Sequence, residues 1–202
     1  MPAIEHTPAI LALWAIIGYL LGSIPFGMVV AKAMGLGNLR QIGSGNIGAT
    51  NVLRTGNKSA AALTLLLDGG KGLVAVLLAR AAGGEDTAQL AGLLAMVGHC
   101  YPVWLRFAGG KGVATFLGIL LALNFFVGLA CCAAWLVGAA LSRISSVGAL
   151  TAAAASGPFM LILGHGQALL LSLLLTALIY WRHRANISRI RAGTEPRIGQ
   201  KK

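Results

Sequence analysis

The chain has 202 residues, of which 57% are hydrophobic and only 10% are charged, and its formal net charge is +11. Soluble domains carry about 25% charged residues, and here the apolar residues come in long blocks, so the composition excludes a soluble globular domain. The basic residues lie between the apolar blocks, which is typical of the cytoplasmic loops of membrane proteins and not of a nucleic-acid-binding surface. We expect an all-α, polytopic helical bundle in a membrane, with a single domain over residues 1–202.

The first apolar block covers about residues 8–33 and contains Gly-Ser-Ile-Pro-Phe-Gly at residues 22–27. A proline and two glycines at membrane depth predict a kink or freed backbone groups. Two interpretations stay equally open: a kink that serves packing, and a backbone that bends around a site.

The segment Gly-Ser-Gly-Asn-Ile-Gly-Ala-Thr-Asn at residues 43–51 carries three glycines and four small polar side chains without a charge. Successive backbone N–H groups in such a run form anion-binding concavities, and glycine lets a ligand approach closely. Arg40, Arg54 and Lys58 flank the run with positive charge. We interpret it as a phosphate-binding loop. Its candidate site residues are Gly43, Ser44, Gly45, Asn46, Thr50 and Asn51.

Other interpretations of this loop have less support. The Gly-x-Gly-x-x-Gly spacing is that of dinucleotide-binding loops, but those follow a β-strand and open a helix. The residues before position 43 are the end of an apolar helix and a short connector. A flexible surface loop is the simplest alternative.

The next apolar block, residues 59–82, is interrupted by Asp-Gly-Gly-Lys-Gly at residues 68–72. Ionisable residues at membrane depth are costly and usually functional. Asp68 and Lys71 are three residues apart, so they can neutralise each other on one helical face. We expect a broken or unwound helix here that faces a polar cavity, with both residues near the substrate. A short acidic turn follows at residues 83–86.

A second glycine-rich loop follows the next span, which covers about residues 88–105. Gly-Gly-Lys-Gly recurs at residues 109–112, and a similar sequence follows both copies, but chance explains this match better than duplication. The basic and glycine-rich composition again suits phosphate oxygens. The candidate binding residues here are His99, Gly109, Gly110, Lys111, Gly112 and Thr115.

The last part of the chain contains three apolar stretches and a basic tail. Residues 113–142 have Asn124 near their middle, and residues 145–162 and about 167–181 flank a loop that contains His165. The tail after Trp181 holds seven Lys and Arg residues. Such a tail is usually an electrostatic anchor to anionic lipid. His183 and Asn186 are three residues apart, however, and can share a helical face at a site.

The distribution of Lys and Arg predicts the orientation. With the N-terminus outside and residues 113–142 crossing twice around Asn124, the chain makes seven crossings, and 14 of its 16 Lys and Arg residues are cytoplasmic. A five-crossing alternative takes residues 113–142 once and 145–181 once. A six-crossing arrangement would put the basic tail outside, against the positive-inside rule. Both accepted versions place the two glycine loops and the tail on the cytoplasmic face.

Three motifs resemble those of the bacterial acyl-phosphate-dependent glycerol-3-phosphate acyltransferases, the PlsY family. They are residues 44–54, residues 98–115, and His183 through Asn186 to Glu195. The resemblance covers nearly the whole chain, and the order and spacing of the motifs make it specific. One departure is Ala185, where relatives often carry a glutamate.

The resemblance implies transfer of a fatty acyl group from acyl phosphate to the 1-hydroxyl of glycerol 3-phosphate, the first acylation of bacterial phospholipid synthesis. It implies a multi-pass protein of the bacterial cytoplasmic (inner) membrane, with the active site on the cytoplasmic side. The implied catalytic residues are Ser44, Arg54, His183 and Asn186, the glycines around Lys111 bind the glycerol phosphate, and Glu195 is structural.

The residue chemistry agrees with this reaction. Both substrates carry phosphate, and the chain offers two glycine loops with Arg54 and Lys111. Acyl phosphate has a good leaving group, so no covalent enzyme nucleophile is needed, and Ser44, Asn46 or backbone N–H groups can stabilise the oxyanion. The proton acceptor stays open among His183, His99 and a phosphate oxygen. We expect membrane lipids as surroundings, and no cofactor, metal, nucleic acid or obligate protein partner.

Two other function classes are alternatives to the enzyme. Broken helices and glycines within apolar segments also suit a secondary transporter of a phosphorylated or anionic metabolite. The polar groups, however, are expected on one membrane face, which favours an enzyme. A membrane adaptor without chemistry leaves the glycine loops unexplained.

Overall fold

The computed structural model describes residues 2–199, and within that range every regular element is helical. Apolar helix-forming residues dominate each long segment, and glycine, proline or asparagine marks most of the ends. The α-helices are α1 (Pro8–Ser23), α2 (Phe26–Ala33), α3 (Ala49–Val52), α4 (Lys58–Cys100), α5 (Val113–Leu123), α6 (Phe125–Ser142), α7 (Ser145–Ile162), α8 (Leu169–Arg182) and α9 (Arg184–Arg191). The all-α prediction is confirmed. Lys201 and Lys202 of the basic tail lie outside the described residues.

Four helical segments are long and apolar enough to cross a membrane: Pro8–Ala33, Lys58–Leu105, Phe125–Ser142 and Ser145–Ile162. Two shorter apolar segments are Val113–Leu123 and Gly166–Arg182. Large apolar side chains cover much of the surface; Leu141 is 84% exposed and Leu66 is 70% exposed. Such a surface is compatible with lipid and not with water.

The chain forms two compact units, which we describe separately. The first covers residues 2–123 and the second begins at Asn124. A single acyltransferase domain over residues 1–202 stays a prediction.

In the first unit, the helix break predicted at residues 22–27 is confirmed. α1 ends at Ser23, Ile24 and Pro25 are non-helical, and α2 begins at Phe26. Lys71 Nζ donates a hydrogen bond to the Ile24 carbonyl at 2.8 Å. A backbone acceptor freed by the break is therefore satisfied by a buried side chain.

Small residues let α1 pack closely against the C-terminal part of α4. Gly18 and Gly22, four residues apart on α1, lie directly on the backbone of Ala91 and Ala95. A Cβ at either glycine would clash with that backbone. This is the small-residue packing expected of helices in lipid.

The predicted unwinding at residues 68–72 is wrong, because α4 is helical through this segment. The only non-helical residue between Lys58 and Cys100 is Gly84, with φ 76° and ψ −156°. The helix persists because the Asp68–Lys71 pair, at 2.8 Å, neutralises both charges within one turn. The glycines serve packing instead, since Gly72 lies against the Thr115 backbone at the start of α5. The turn predicted at residues 83–86 coincides with the break at Gly84.

The two Gly-Gly-Lys-Gly segments have different conformations. Residues 69–72 are helical, whereas residues 109–112 form an irregular loop before α5. This difference fits the interpretation of their match as chance.

The second unit confirms the predicted break at Asn124. α6 begins at Phe125, and Asn124 caps it by accepting a hydrogen bond from the Val127 amide at 2.9 Å. His165, interpreted from the sequence as a loop residue, lies between α7 and α8, and its Nε2 is 2.5 Å from Asn124 Nδ2. Ser156 and Ser172 join α7 to α8 through a buried hydroxyl contact of 2.7 Å.

Candidate active site

The first glycine loop, residues 43–48, rests on an apolar cluster of the first unit. Val30, Leu39, Val52 and Ala60 are at most 4% exposed in this cluster. Gly27 of α2 lies directly beneath the Ile47 carbonyl, where a side chain would clash. A polar loop that cannot bury apolar surface is thus held by the helices under it.

Asn51 organises this loop through both polar atoms of its side-chain amide. Its Oδ1 accepts from the Ser44 amide at 3.1 Å, and its Nδ2 donates to the carbonyls of Asn46 and Leu39 at 2.7 and 3.0 Å. Asn51 is 1% exposed. Gly43 and Gly45 turn the backbone around it at φ 54° and 67°. The geometry favours a role for Asn51 in shaping the loop, while its predicted contact with substrate stays a prediction.

The polar groups predicted to act on substrate lie at the outer side of this loop. Ser44, Thr50 and Arg54 are exposed, and Asn46 is partly buried. Arg54 Nη1 is 3.5 Å from Asn51 Oδ1, and Gly43 leaves room for its guanidinium, because a Cβ there would lie 2.7 Å from Nη1. The Ser44 hydroxyl, at 3.4 Å, and the Arg54 guanidinium therefore meet at the same Asn51 oxygen.

Arg40 joins the two glycine loops, a role that the sequence did not assign to it. Its Nη1 donates to the Gly45 carbonyl at 3.3 Å, and its Nη2 donates to the Ala108 carbonyl. In the sequence, the feature that could have indicated this role is the position of Arg40, a basic residue just before the loop. The structure thus brings the first and second motifs together within the first unit.

The second loop, residues 109–112, lies on the C-terminal end of α4. The amides of Gly109 and Gly110 donate to the carbonyls of Cys100 and His99, each at 3.1 Å. These bonds satisfy carbonyls that a helix end leaves unpaired. Side chains have no space there, since a Cβ at Gly110 would clash with His99 Nε2. Lys111 is partly exposed between the buried Gly110 and Gly112.

Asp68, Lys71 and His99 form a buried group behind this loop, and each is at most 6% exposed. Lys71 Nζ lies 2.8 Å from Asp68 Oδ1, and His99 Nδ1 lies 3.6 Å from the same oxygen. Thr115, predicted to bind substrate, is fully buried and donates from Oγ1 to the Asp68 carbonyl at 2.8 Å. Contact of these four residues with the substrate stays a prediction. Their burial and their contacts with one another point to another role.

The third motif lies in the second unit, at the junction of α8 and α9. His183 and Asn186 are 3% and 5% exposed. His183 Nδ1 is 2.8 Å from the Ile179 carbonyl. A carbonyl only accepts, so Nδ1 carries the proton, and Nε2 is the basic nitrogen of the neutral ring.

Glu195 ties this motif to the start of α7. Its carboxylate accepts from Ser146 Oγ at 2.7 Å, from Arg189 Nε at 2.6 Å, and from Asn186 Nδ2. Burial raises the pKa of Glu195, but the hydrogen bonds from Asn186, Ser146 and Arg189 outweigh it and hold the pKa below its usual value. The ionised carboxylate therefore stabilises the fold near neutral pH, and this contribution is lost as the pH falls through the lowered pKa. The geometry is compatible with the predicted structural role, and Ser146 is a partner that no sequence pattern indicated.

Among residues 2–199 no group of three or more His, Cys, Asp or Glu side chains is placed to hold a metal ion. Its glycine loops carry arginine and lysine side chains, which are groups that suit phosphate oxygens.

Comparison with known proteins assigns these motifs to one family. The model of the glycerol-3-phosphate acyltransferase family matches residues 12–193. This chain belongs to that family. It is similar to the glycerol-3-phosphate acyltransferase of Roseobacter denitrificans, with 75% identity over 98% of this chain and 100% of that protein. It is 66% identical to that of Ruegeria pomeroyi, over 100% of this chain and 99% of that protein.

Solved structures of an acyltransferase of this family share the fold. The crystal structure of PlsY, an integral membrane glycerol 3-phosphate acyltransferase, in its glycerol 3-phosphate form matches with a TM-score of 0.89 and 40% identity, over 94% of this chain and 96% of PlsY. The lysophosphatidic acid form matches with a TM-score of 0.86 and 37% identity, over 94% and 95% of the two chains. Membership of this family favours the enzyme over the transporter.

Asn51→Ala tests whether Asn51 shapes the first loop of this acyltransferase. It removes the acceptor of the Ser44 amide and the donor to two carbonyls, so we expect a loss of about 1–3 kcal/mol in stability. We also expect kcat/KM to fall by roughly 100-fold, because a misplacement of about 1 Å costs that much. Thermal unfolding in detergent and steady-state kinetics measure the two effects.

Asn57→Ala is the matched control. Asn57 caps α4 by accepting a hydrogen bond from the Ala60 amide, and this bond does not involve the first loop. Losing an N-cap costs about 1 kcal/mol, and kcat/KM should be retained. Equal losses of activity in both variants would contradict a specific role for Asn51.

Proposed function

We propose that this enzyme transfers a fatty acyl group from acyl phosphate to the 1-hydroxyl of glycerol 3-phosphate. The products are lysophosphatidic acid and inorganic phosphate. Acylation of glycerol 3-phosphate to lysophosphatidic acid is the activity of the family to which the chain belongs. The choice of donor and the roles of individual residues are our proposal.

The observation that carries the proposal is the pair of glycine loops joined by Arg40. Each loop sets a cation beside a glycine-rich backbone that lets a ligand approach closely, Arg54 in the first and Lys111 in the second. The amides of Gly109 and Gly110 hold the second loop on α4, so we assign the phosphate there to Lys111. Phosphate oxygens are bound well by such groups. Both proposed substrates carry a phosphate, so two adjacent phosphate-binding loops suit a reaction between them.

The reaction needs little covalent chemistry from the protein. The 1-hydroxyl oxygen attacks the acyl carbon, the bond from that carbon to the phosphate oxygen breaks, and phosphate leaves with the electron pair. Correct positioning of two substrates can supply about 7–11 kcal/mol. We assign stabilisation of the developing oxyanion to Ser44, which is exposed on the first loop, and to Asn46, which is partly buried there.

The hydroxyl proton needs an acceptor, for which three candidates stay open. Nε2 of His183 is a basic nitrogen because Nδ1 donates to the Ile179 carbonyl. A phosphate oxygen of the substrate can also accept a proton near neutral pH. His99 is the third candidate, and its contact with Asp68 favours a different role. We keep Asn186 as a predicted catalytic partner, in addition to its bond to Glu195.

We propose a location in the bacterial cytoplasmic (inner) membrane, with about seven crossings, the N-terminus outside and the glycine loops on the cytoplasmic side. The distribution of Lys and Arg supports this orientation. The breaks at Asn124 and between α7 and α8 support seven crossings over five, because the five-crossing version takes residues 113–142 and 145–181 once each.

The donor is tested by incubating the purified protein with glycerol 3-phosphate and palmitoyl phosphate, palmitoyl-CoA or palmitoyl-acyl carrier protein. Of the three donors, only palmitoyl phosphate should give lysophosphatidic acid. Histidine-based acyl-CoA acyltransferases use an aspartate five residues after the histidine. His6, His99, His165 and His183 lack one, because the only aspartates are Asp68 and Asp86. Turnover with palmitoyl-CoA, in a preparation free of acyl-phosphate-forming enzymes, would contradict the assignment.

Lys111→Ala tests the second loop. A hydrogen bond to a charged group is worth about 1.5–3 kcal/mol, so KM for glycerol 3-phosphate should rise by roughly 10- to 100-fold. The loss of kcat should be smaller, because Lys111 binds the phosphate in both ground and transition states. Lys32→Ala, which removes an exposed lysine of α2, is the control. An unchanged KM would remove Lys111 from the phosphate site.

Orientation is tested with single cysteines in a background without Cys100, Cys131 and Cys132. Cysteines at Asn57 and Gly199 should be protected from an impermeant thiol reagent in intact cells and react after permeabilisation. A cysteine at Glu5, on the opposite predicted side, should react in intact cells. Labelling of position 57 or 199 from outside would reverse the orientation.

A further inference from the structure

We propose that Asp68, Lys71 and His99 are positioning residues for the second glycine loop and do not contact the substrate. The inference rests on the proposed role of residues 109–112 in binding glycerol 3-phosphate. It differs from the sequence-based interpretation, which placed all three residues at the substrate.

Burial is the first argument. Asp68, Lys71 and His99 are 2%, 6% and 4% exposed, so all three lie behind the loop and not at its outer side. A buried ion pair contributes little to stability, because desolvation of both charges offsets their attraction. Stability alone therefore does not explain such a pair. Its contacts indicate which part of the structure it positions.

The contacts form one chain from a helix break to the loop. Lys71 Nζ donates to the Ile24 carbonyl at 2.8 Å and lies 2.8 Å from Asp68 Oδ1. Asp68 Oδ1 in turn lies 3.6 Å from His99 Nδ1. The other edge of the His99 ring, at Nε2, occupies the space directly under Gly110, where a Cβ would clash. The position of the ring therefore limits how closely the Gly110 backbone can approach α4.

A second contact ties the same point of α4 to the other end of the loop. Thr115 Oγ1 donates to the Asp68 carbonyl at 2.8 Å, and Thr115 lies three residues after Gly112. The loop is thus held on its N-terminal side by the amides of Gly109 and Gly110 on α4, and on its C-terminal side by Thr115. Asp68 provides the second attachment through its carbonyl, and its carboxylate contacts His99, whose carbonyl provides part of the first.

The chain of contacts also reaches the first glycine loop. Lys71 Nζ is 5.7 Å from the centre of the Phe26 ring, which follows the helix break. The next residue, Gly27, supports the Ile47 carbonyl of the first loop. Removing the charged pair should therefore loosen the second loop most, and the first loop to a smaller extent.

The test is the double variant Asp68→Asn, Lys71→Met, which removes both charges and leaves neither one buried alone. Hydrogen exchange of residues 106–113 is measured in the substrate-free enzyme. The amides of Gly109 and Gly110 should exchange about 10-fold faster or more, because local opening becomes easier. Calorimetric affinity for glycerol 3-phosphate without donor should fall by about 10-fold, and KM for palmitoyl phosphate should change less than KM for glycerol 3-phosphate.

The matched control is Arg80→Met, Glu85→Gln, which removes another ion pair of α4, at 3.0 Å and partly exposed. It should leave both the exchange of residues 106–113 and the affinity for glycerol 3-phosphate unchanged, even if it lowers the unfolding temperature. If the control shows the same faster exchange and the same loss of affinity as the double variant, the effect is general destabilisation and the proposal is overturned.

Direct substrate contact gives a different result. If Lys71 binds the phosphate, affinity falls while exchange in the substrate-free enzyme stays at the wild-type rate, and this outcome overturns the proposal. Faster exchange with unchanged affinity overturns it as well. Both measurements are made without turnover, so a failure of the proposed acylation would not be mistaken for a failure of positioning.

His99→Phe decides the matter if the double variant does not fold. It keeps an aromatic ring under Gly110 and leaves the Asp68–Lys71 pair intact, but it loses the nitrogen that faces Asp68. Exchange of residues 106–113 should rise and affinity for glycerol 3-phosphate should fall, each less than in the double variant. Wild-type values for both would contradict a role of the Asp68 contact in positioning the loop.

Discussion

Every backbone amide and carbonyl that a helix break frees at membrane depth must find a partner inside the protein, because lipid offers none. The first unit meets this constraint with side chains at three of its breaks. Lys71 donates to the Ile24 carbonyl before α2, and Thr87 donates to the carbonyls of Ala79 and Gly84 at the break in α4. Arg80 donates to the carbonyls of Ala122 and Leu123 where α5 ends. At these three breaks, side-chain donors therefore satisfy carbonyls at the ends of the interrupted helices.

The same constraint explains two cations in apolar segments. Lys71 and Arg80 are the two basic residues outside the predicted cytoplasmic segments. Each is paired with a carboxylate, Asp68 or Glu85, and each also donates to a carbonyl at a helix end. Their charge is neutralised and their donors are used, so they are compatible with an apolar environment. Lys71 and Arg80 thus support the backbone at the ends of helices, and of the two it is Lys71 that belongs to the group behind the second glycine loop.

Both glycine loops are polar segments held by ordered helices beneath them. The first depends on Asn51 and on the close approach of Gly27, and the second depends on the end of α4 and the His99 ring. The proposed phosphate binding needs the groups of each loop to point in fixed directions before the substrate arrives. Rigid attachment at several points suits this need better than a flexible loop, which was the simplest alternative from the sequence.

The sequence by itself determined the helical membrane class, most of the helix breaks and the membership of the acyltransferase family. These follow from local signals: long apolar blocks, Pro25 and Asn124 in helix-forming runs, and short glycine motifs in a particular order. The break at residues 68–72 was predicted wrongly, because a glycine pair beside two charges has the local signature of unwinding. Only the tertiary structure decided that Asp68 and Lys71 neutralise each other and that Gly72 packs against α5. Arg40, Ser146 and the internal role of Asn51 likewise depend on partners up to 68 residues away in the chain. Composition and spacing describe what a segment can do alone, whereas these contacts arise from packing between segments, which no local pattern contains.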